Sequence, residues 1–332
     1  MTNDGDGDGD RDGGAGAVPD ETSATATETI DARLAELDLA PTGEVVATLL
    51  ASQRRAASAV ERAADALAAA VDAAAARLAD GDGRLVLCGA GASGRIAVQD
   101  GAELWPTFGW PRERLLLCMA GGERALTDSV EGVEDDAAEA RDEAERAGVG
   151  SADVVVALAA SGRSAWTCAW LVAARERGAL TVGLANNAGT PLLDAAEHPL
   201  WLDTGPEVLA GSTRMAAGTA QKIAMNAFTT ALMIRLNRTY GNLMVDMAAV
   251  NAKLDGRRLR MLCTVLPELD ESDARAALEA AGGWVKLAAV IAATGDDAAA
   301  GRRRLERCGG ALREVLGRAP GSDHSWSAPA AG

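Results

Sequence analysis

Histidine is almost missing from this chain. Its 332 residues include two, His198 and His324. That argues against a histidine-ligated metal centre and against a Ser-His-Asp nucleophile, both of which need imidazoles brought together. Lysine is nearly as scarce, with Lys222, Lys253 and Lys286 standing beside 29 arginines. The five cysteines (Cys88, Cys118, Cys168, Cys263 and Cys308) are scattered and form no CxxC pair. An odd, dispersed set reads as the reduced thiols of a cytoplasmic protein, not as a disulfide framework. No apolar run of about 18 residues escapes a charge or a helix breaker, so no membrane span is expected. The stretch from Met1 to Glu21 has neither the basic start nor the apolar centre of a secretory signal.

What the chain has in excess is acid. Its formal net charge is -16. Such a surface disfavours nucleic acid and anionic membranes as partners. Acid with little lysine suits a protein kept hydrated in strong salt and reads as halophilic, although a GC-rich genome would give part of the same bias. With 48% hydrophobic residues, the chain can build a sizeable core in one or two domains.

Along the chain the texture changes several times. Residues 1–28 are Asp, Gly, Ser and Thr with few apolar anchors and read as a disordered acidic tail, and residues 318–332 read as a second tail. From Gly43 to Asp80 the pattern is helical, with Val46, Leu49, Leu50, Val60, Leu67, Val71 and Leu78 on an apolar stripe. Short apolar runs then alternate with helical stretches, at 84–88, 115–119, 153–158 and 180–184, with a weaker run at 199–202. Unbroken apolar strands separated by helices predict a parallel sheet covered on both faces, an α/β three-layer sandwich. This domain is placed at 29–255, with its N-terminal helices and a long amphipathic helix near 213–236. Residues 256–317 read as a small C-terminal helical subdomain.

Ligands of open parallel sheets bind at the carboxyl ends of the strands. After the first strand comes Gly89-Ala-Gly-Ala-Ser-Gly-Arg95, and after the third comes Ala160-Ser-Gly-Arg-Ser164. Each is a small, hydroxyl-bearing loop that opens a helix. Free backbone N–H groups, serine hydroxyls and a helix N-terminus together suit a phosphate. The first loop also matches G-x-G-x-x-G, but tight strand-to-helix turns use glycine for backbone reasons. The second strand also lacks the acidic residue a dinucleotide fold would show at its end. Two Ser-Gly-Arg loops point instead to a monophosphate. Ser93, Gly94, Arg95, Ser161, Gly162, Arg163 and Ser164 are therefore candidate phosphate ligands. Glu207 and Ser212, further candidate substrate-binding residues, lie in a dense polar cluster that leads into the long helix, where capping alone would also explain a hydroxyl. Glu103 and Glu134 stand out by position near these loops.

These stretches resemble the N-acetylmuramic acid 6-phosphate etherases of the sugar isomerase (SIS) superfamily. The resemblance spans about Arg84 to Lys253. It is carried by Gly89-Ala-Gly-Ala-Ser-Gly-Arg95, Pro106-Thr-Phe-Gly109, Val130-Glu-Gly-Val-Glu-Asp135, Ala160-Ser-Gly-Arg163, Gly211-Ser-Thr-Arg-Met215, Gly218-Thr-Ala-Gln-Lys222 and Tyr240-Gly-Asn-Leu-Met-Val-Asp246. A relative that regulates glucokinase shares several of these motifs. The family pattern implies Glu103 as the acid that protonates the leaving lactate and Glu134 as a second catalytic glutamate, here the base. It also implies an SIS-type sheet, an amino-sugar 6-phosphate substrate and a homodimer. This chain departs from the pattern at Ala92, Ala102, Leu104-Trp105 and Ala216, which bears on substrate identity more than on reaction type. Two glutamates of opposed protonation suffice for the chemistry, so neither a metal nor a cofactor is expected. The alternatives are a lyase or isomerase acting on another amino-sugar phosphate, and a non-catalytic sugar-phosphate sensor. Retention of both glutamates argues against the sensor.

Overall fold

A computed structural model describes residues 25–247 and 255–317. The tail at 318–332, Asn251, Lys253 and the first 24 residues of the expected acidic tail lie outside the described residues.

The chain opens with helices α1 (Thr42–Arg62) and α2 (Ala64–Leu78). The sheet region follows as β1 (Leu85–Gly89), α3 (Gly91–Ala102), α4 (Leu104–Phe108), β2 (Leu115–Met119), α5 (Ala137–Arg146), β3 (Val154–Leu158), α6 (Ala165–Glu176), β4 (Leu180–Ala185), α7 (Pro191–Ala195) and β5 (His198–Trp201). The long helix α8 (Ala216–Arg235) precedes the C-terminal helices α9 (Asp255–Val265), α10 (Glu271–Ala280), α11 (Val285–Thr294), α12 (Ala298–Arg307) and α13 (Leu312–Val315). All five expected strands are present, the weaker fifth included. Their order is β2-β1-β3-β4-β5 and every pairing is parallel.

Strand periodicity sorts the sheet residues into two layers. Leu85, Leu87, Val154, Val156, Val182 and Leu184 face a core built with α1, α2 and α8. Val86, Cys88, Val155 and Ala157 face a second core built with α5 and α6. Burial on both sides is why β1, β3 and β4 read as unbroken apolar runs. The described cysteines are all free thiols. Among the described residues, no single helix is long and apolar enough to cross a membrane.

Two expectations are corrected. The helical stretch from Gly43 to Asp80 is broken at Ala63, which sits at φ -93°, ψ 6° and bonds back to Val60 O in a tight turn. The break lets both helices pack on α8 while α2 also covers the strands. The acidic tail does not run through residue 28. Residues Ala26–Glu28 form a 3-10 turn, and Thr27 is fully buried. Composition is blind to this, because the contacts that hold Thr27 are polar and distant in sequence.

The C-terminal helices have their own core and attach through a buried charge cluster. Lys286 Nζ donates to Asp246 Oδ2 at 2.7 Å and to Asn237 O at 2.6 Å. Arg238 approaches the same carboxylate at 3.9 Å. Burial pushes the Asp246 carboxyl up and the Lys286 ammonium down, each opposed by the other's charge. Around this cluster Trp105 of α4 meets Trp284 edge-on at 6.2 Å. Gly109, at φ +58°, comes so close to Asp246 O that a Cβ there would lie 2.5 Å from it. Removing one partner of such a pair leaves a buried charge uncompensated. Lys286→Met is expected to cost about 3–5 kcal/mol, read from denaturant titration. The double variant with Asp246→Asn should lose much less than the sum of the two single losses. Additive losses would show that the pair is not coupled.

Candidate active site

The strand order reverses direction at β1, whose two neighbours are β2 and β3. Such a switch point opens a crevice at the carboxyl ends of the strands. Here the crevice is bounded by the two Ser-Gly-Arg loops, since Gly89 and Leu158 are register partners at the strand ends.

The glycines of the first loop serve close packing. A Cβ on Gly89 would lie 2.8 Å from Leu158 O, and one on Gly94 would lie 2.6 Å from Gly89 O. Gly91 has φ +54°. The G-x-G-x-x-G spacing is thus accounted for by strand, turn and helix in contact. Ser93 is buried in the first turn of α3, and Gly94 is buried beside it. The Arg95 guanidinium donates to Leu126 O at 3.2 Å and to Asp128 O at 2.8 Å. It therefore holds the segment that leads to Glu134, a role the sequence did not suggest.

In the second loop Ser161 Oγ accepts from Arg163 N at 3.1 Å, which tightens the turn. Gly162 has φ +67° and presses on Thr190, leaving no room for a Cβ. Ser164 caps α6 by accepting from Thr167 N, and its hydroxyl donates to Glu134 O at 3.2 Å. That bond joins the third-strand loop to the exposed 3-10 turn Val133–Asp135, so Glu134 stands at the same end of the sheet as the serines. Below the loop, burial pushes the Cys168 thiol up to about 11 against the opposing charge of Arg163. A thiol that stays protonated at neutral pH makes a poor nucleophile.

Glu207 and Ser212 lie in the loop before α8. Glu207 is 2% exposed, and both its oxygens are occupied by helix N–H groups, Ala216 N at 3.0 Å and Ala217 N at 2.8 Å. Its carboxylate closes the N-terminus of α8, where the helix dipole favours a negative charge, and does not face open space. Ser212 is half-buried in the same loop.

Glu103 is the one candidate that the fold sets apart. It is exposed and joins α3 to α4. The phosphate-type loop opens α3 and Glu103 closes it. Ser93 lies in the first turn of α3 and Glu103 just after its last, ten residues or about 15 Å apart along the axis. Within one chain Glu103 is therefore set well apart from the loop serine. A cleft of about 570 Å³ lies next to the Glu134 turn, walled by Val98, Met119, Gly121, Val133, Glu143 and Trp166 among others. Burial raises the Glu143 carboxyl there. Neither the loop serines nor Glu103 belongs to its walls.

The family described as the glucokinase regulatory protein N-terminal SIS domain matches residues 66–174, and the SIS domain family matches residues 134–231. The N-acetylmuramic acid 6-phosphate etherase of Deinococcus radiodurans is 48% identical over 296 residues, which is 89% of this chain and 96% of that one. The chain belongs to the N-acetylmuramic acid 6-phosphate etherase family. The etherase of Rubrobacter xylanophilus is 46% identical, covering 85% of this chain and 93% of that one. The etherase of Streptomyces avermitilis is 42% identical, covering 90% and 96%. Among solved structures, the phosphoheptose isomerase of Neisseria gonorrhoeae aligns with TM-score 0.42 and 19% identity, over 57% of this chain and 97% of that one.

The Glu207 cap in this etherase-family chain is open to a direct test. Glu207→Ala would strand two buried N–H groups, at about 1–3 kcal/mol for each unsatisfied donor. Glu207→Gln keeps an acceptor and should lose less. Thermal melts of the two variants check this. Equal stability of Glu207→Ala and wild type would show that the carboxylate does not hold α8.

Proposed function

We propose that the protein is a carbon–oxygen lyase that cleaves the C3 lactyl ether of N-acetylmuramate 6-phosphate, giving N-acetylglucosamine 6-phosphate and D-lactate. The observation that carries this reading is family membership across nine-tenths of the chain, with both candidate glutamates retained. The 6-phosphate is bound by Ser93, Ser161, Ser164 and the backbone N–H groups at the starts of α3 and α6. Opening of the sugar ring makes an aldehyde at C1, so the C2 proton becomes acidic. Glu134 removes that proton. The C3–O bond then breaks, and Glu103 gives its proton to the departing lactate oxygen. Water adds at C3 of the unsaturated aldehyde, its proton returns to C2, and the ring recloses. No electrons are exchanged with a partner molecule, so the cycle is redox-neutral.

Ser93 and Glu103 lie about 15 Å apart along α3, at the limit of what a hexose 6-phosphate and the two side chains can bridge, which favours a phosphate loop and an acid contributed by different chains. This supports a homodimer whose sites each combine the loops and Glu134 of one protomer with Glu103 of its partner. The scattered free thiols support a cytoplasmic setting, and the acid-rich, lysine-poor composition supports high salt and argues against nucleic-acid or anionic-membrane partners.

Two experiments test this reading. Glu103→Gln should lose lactate release by about 10²–10⁴ yet still exchange the C2 hydrogen with deuterated water. Glu134→Gln should lose both. Near wild-type lactate release by Glu103→Gln would remove Glu103 from the mechanism, and retained exchange in Glu134→Gln would show that the base lies elsewhere. Secondly, Glu103→Gln subunits are mixed with Ser161→Ala subunits, with and without molar KCl. Each mixed dimer would hold one intact site and one doubly impaired site, restoring about a quarter of wild-type sites at random mixing. No recovery after proven subunit exchange would return Glu103 to its own chain's site. Lower activity in molar KCl would count against the high-salt setting.

A further inference from the structure

Thr27 belongs to a segment whose composition resembles a tail, yet its accessible surface is zero. Its backbone N–H donates to Asn187 Oδ1 at 3.2 Å, and Asn187 Nδ2 donates back to Thr27 Oγ1 at 3.0 Å. The same Nδ2 donates to Ala160 O at 3.1 Å. On its other side, Thr27 O accepts from Gly211 N at 3.1 Å. Ala160 immediately precedes Ser161, and Gly211 immediately precedes Ser212. One residue, more than a hundred positions away in sequence, is thus tied both to the loop of Ser161, through Asn187, and to the loop of the candidate ligand Ser212.

Both N–H donors of the Asn187 side chain are taken. Its two N–H donors and its oxygen are divided between Thr27 and Ala160, so Thr27 fixes which way the amide points. Asn186 N also donates to Ala160 O, which sets this peptide plane from two directions. The peptide plane in turn sets where Ser161 begins. Beside it, Glu28 lies against Gly211, where a Cβ would fall 2.7 Å from Glu28 Oε2 and where φ is +75°. The close approach seats the N-terminal segment on the loop that carries Ser212.

We propose that Thr27 is a positioning residue of the sugar-phosphate site. Acting through Asn187, it clamps the loop of Ser161 to the loop of Ser212. It touches neither substrate nor reacting atoms, so it governs how well the phosphate is held and leaves the glutamate chemistry alone. The proposal rests on the etherase reading for its activity measurements but not for its binding measurements.

The test uses Thr27→Val, which keeps the shape and loses the hydroxyl, and Thr27→Ser, which restores it, both in the full chain. Binding of N-acetylglucosamine 6-phosphate is followed by calorimetry, and KM and kcat by lactate release. One buried hydrogen bond is worth about tenfold in affinity. Thr27→Val is therefore expected to raise Kd and KM by about that factor with kcat nearly unchanged, and Thr27→Ser to recover both. In an Asn187→Ala background, Thr27→Val should add nothing further. A lower melting temperature with Kd unchanged would reduce Thr27 to an anchor of the chain and overturn the proposal. So would additive effects of the two substitutions, or failure of the serine rescue. Absence of lactate release by the wild-type protein would refute the etherase reading alone, because the binding comparison still decides the clamp.

Discussion

The direct pairing of β1 with β3 is the constraint on which the ligand end of this molecule depends. A right-handed crossover carries the chain from β1 out to the edge as β2 and back over the sheet to β3. The two Ser-Gly-Arg loops, nearly seventy residues apart in sequence, thereby emerge side by side. The glycines at 89 and 94 allow strand, loop and helix to touch without a side chain between them. Two helix N-termini and two serine-bearing turns then border one crevice. Arg95 and Ser164 extend the arrangement to the turn of Glu134 by bonding to backbone carbonyls. The juxtaposition of the two loops is thus a consequence of sheet topology, and the turn of Glu134 is suspended from it.

Polar groups away from the crevice do the locating. Glu207 spends its charge on the start of α8. Asp100, buried in α3, accepts from Lys222 Nζ at 3.1 Å and Thr229 Oγ1 at 2.8 Å, which locks α3 to α8. At the opposite end, the Asp246–Lys286 pair seats the helical subdomain against Gly109, the residue that ends α4. Glu103 lies between these two fastenings, three residues after Asp100 and six before Gly109. Its backbone is therefore well defined although its side chain is exposed. Such a group is suited to meet a surface supplied from outside its own chain, since the ordering cost has been met before contact.

Much of this was legible in the residues. Short apolar runs bounded by turn residues read as strands, and all five were found with ends accurate to one residue. The glycine and serine spacing of the loops marked the ligand end. Other features were hidden for identifiable reasons. Ala63 carries no breaker chemistry, and its turn exists because two helices must pack in different directions. Arg95 looked like a phosphate ligand because charge beside serine suggests one, but which acceptor an arginine reaches depends on a segment thirty residues away. Glu207 reads as a substrate-binding candidate because nothing local shows that helix N–H groups meet it. Thr27 was assigned to a tail because low hydrophobicity signals disorder only while no distant polar partner completes its bonds.

The sequence by itself determined the layered α/β class, the helical C-terminus and the family, because these follow from periodicity and from motifs written within a few neighbouring positions. Only the tertiary structure decided which groups meet. It bonded the Glu134 turn to Ser164, gave Arg95 and Glu207 backbone partners and tied Thr27 to the segments before Ser161 and Ser212. It also left Glu103 a helix-length from the loop that precedes it. The physical reason is that hydrogen bonds and charges act over a few ångströms in space, and separation along the chain carries no measure of that distance.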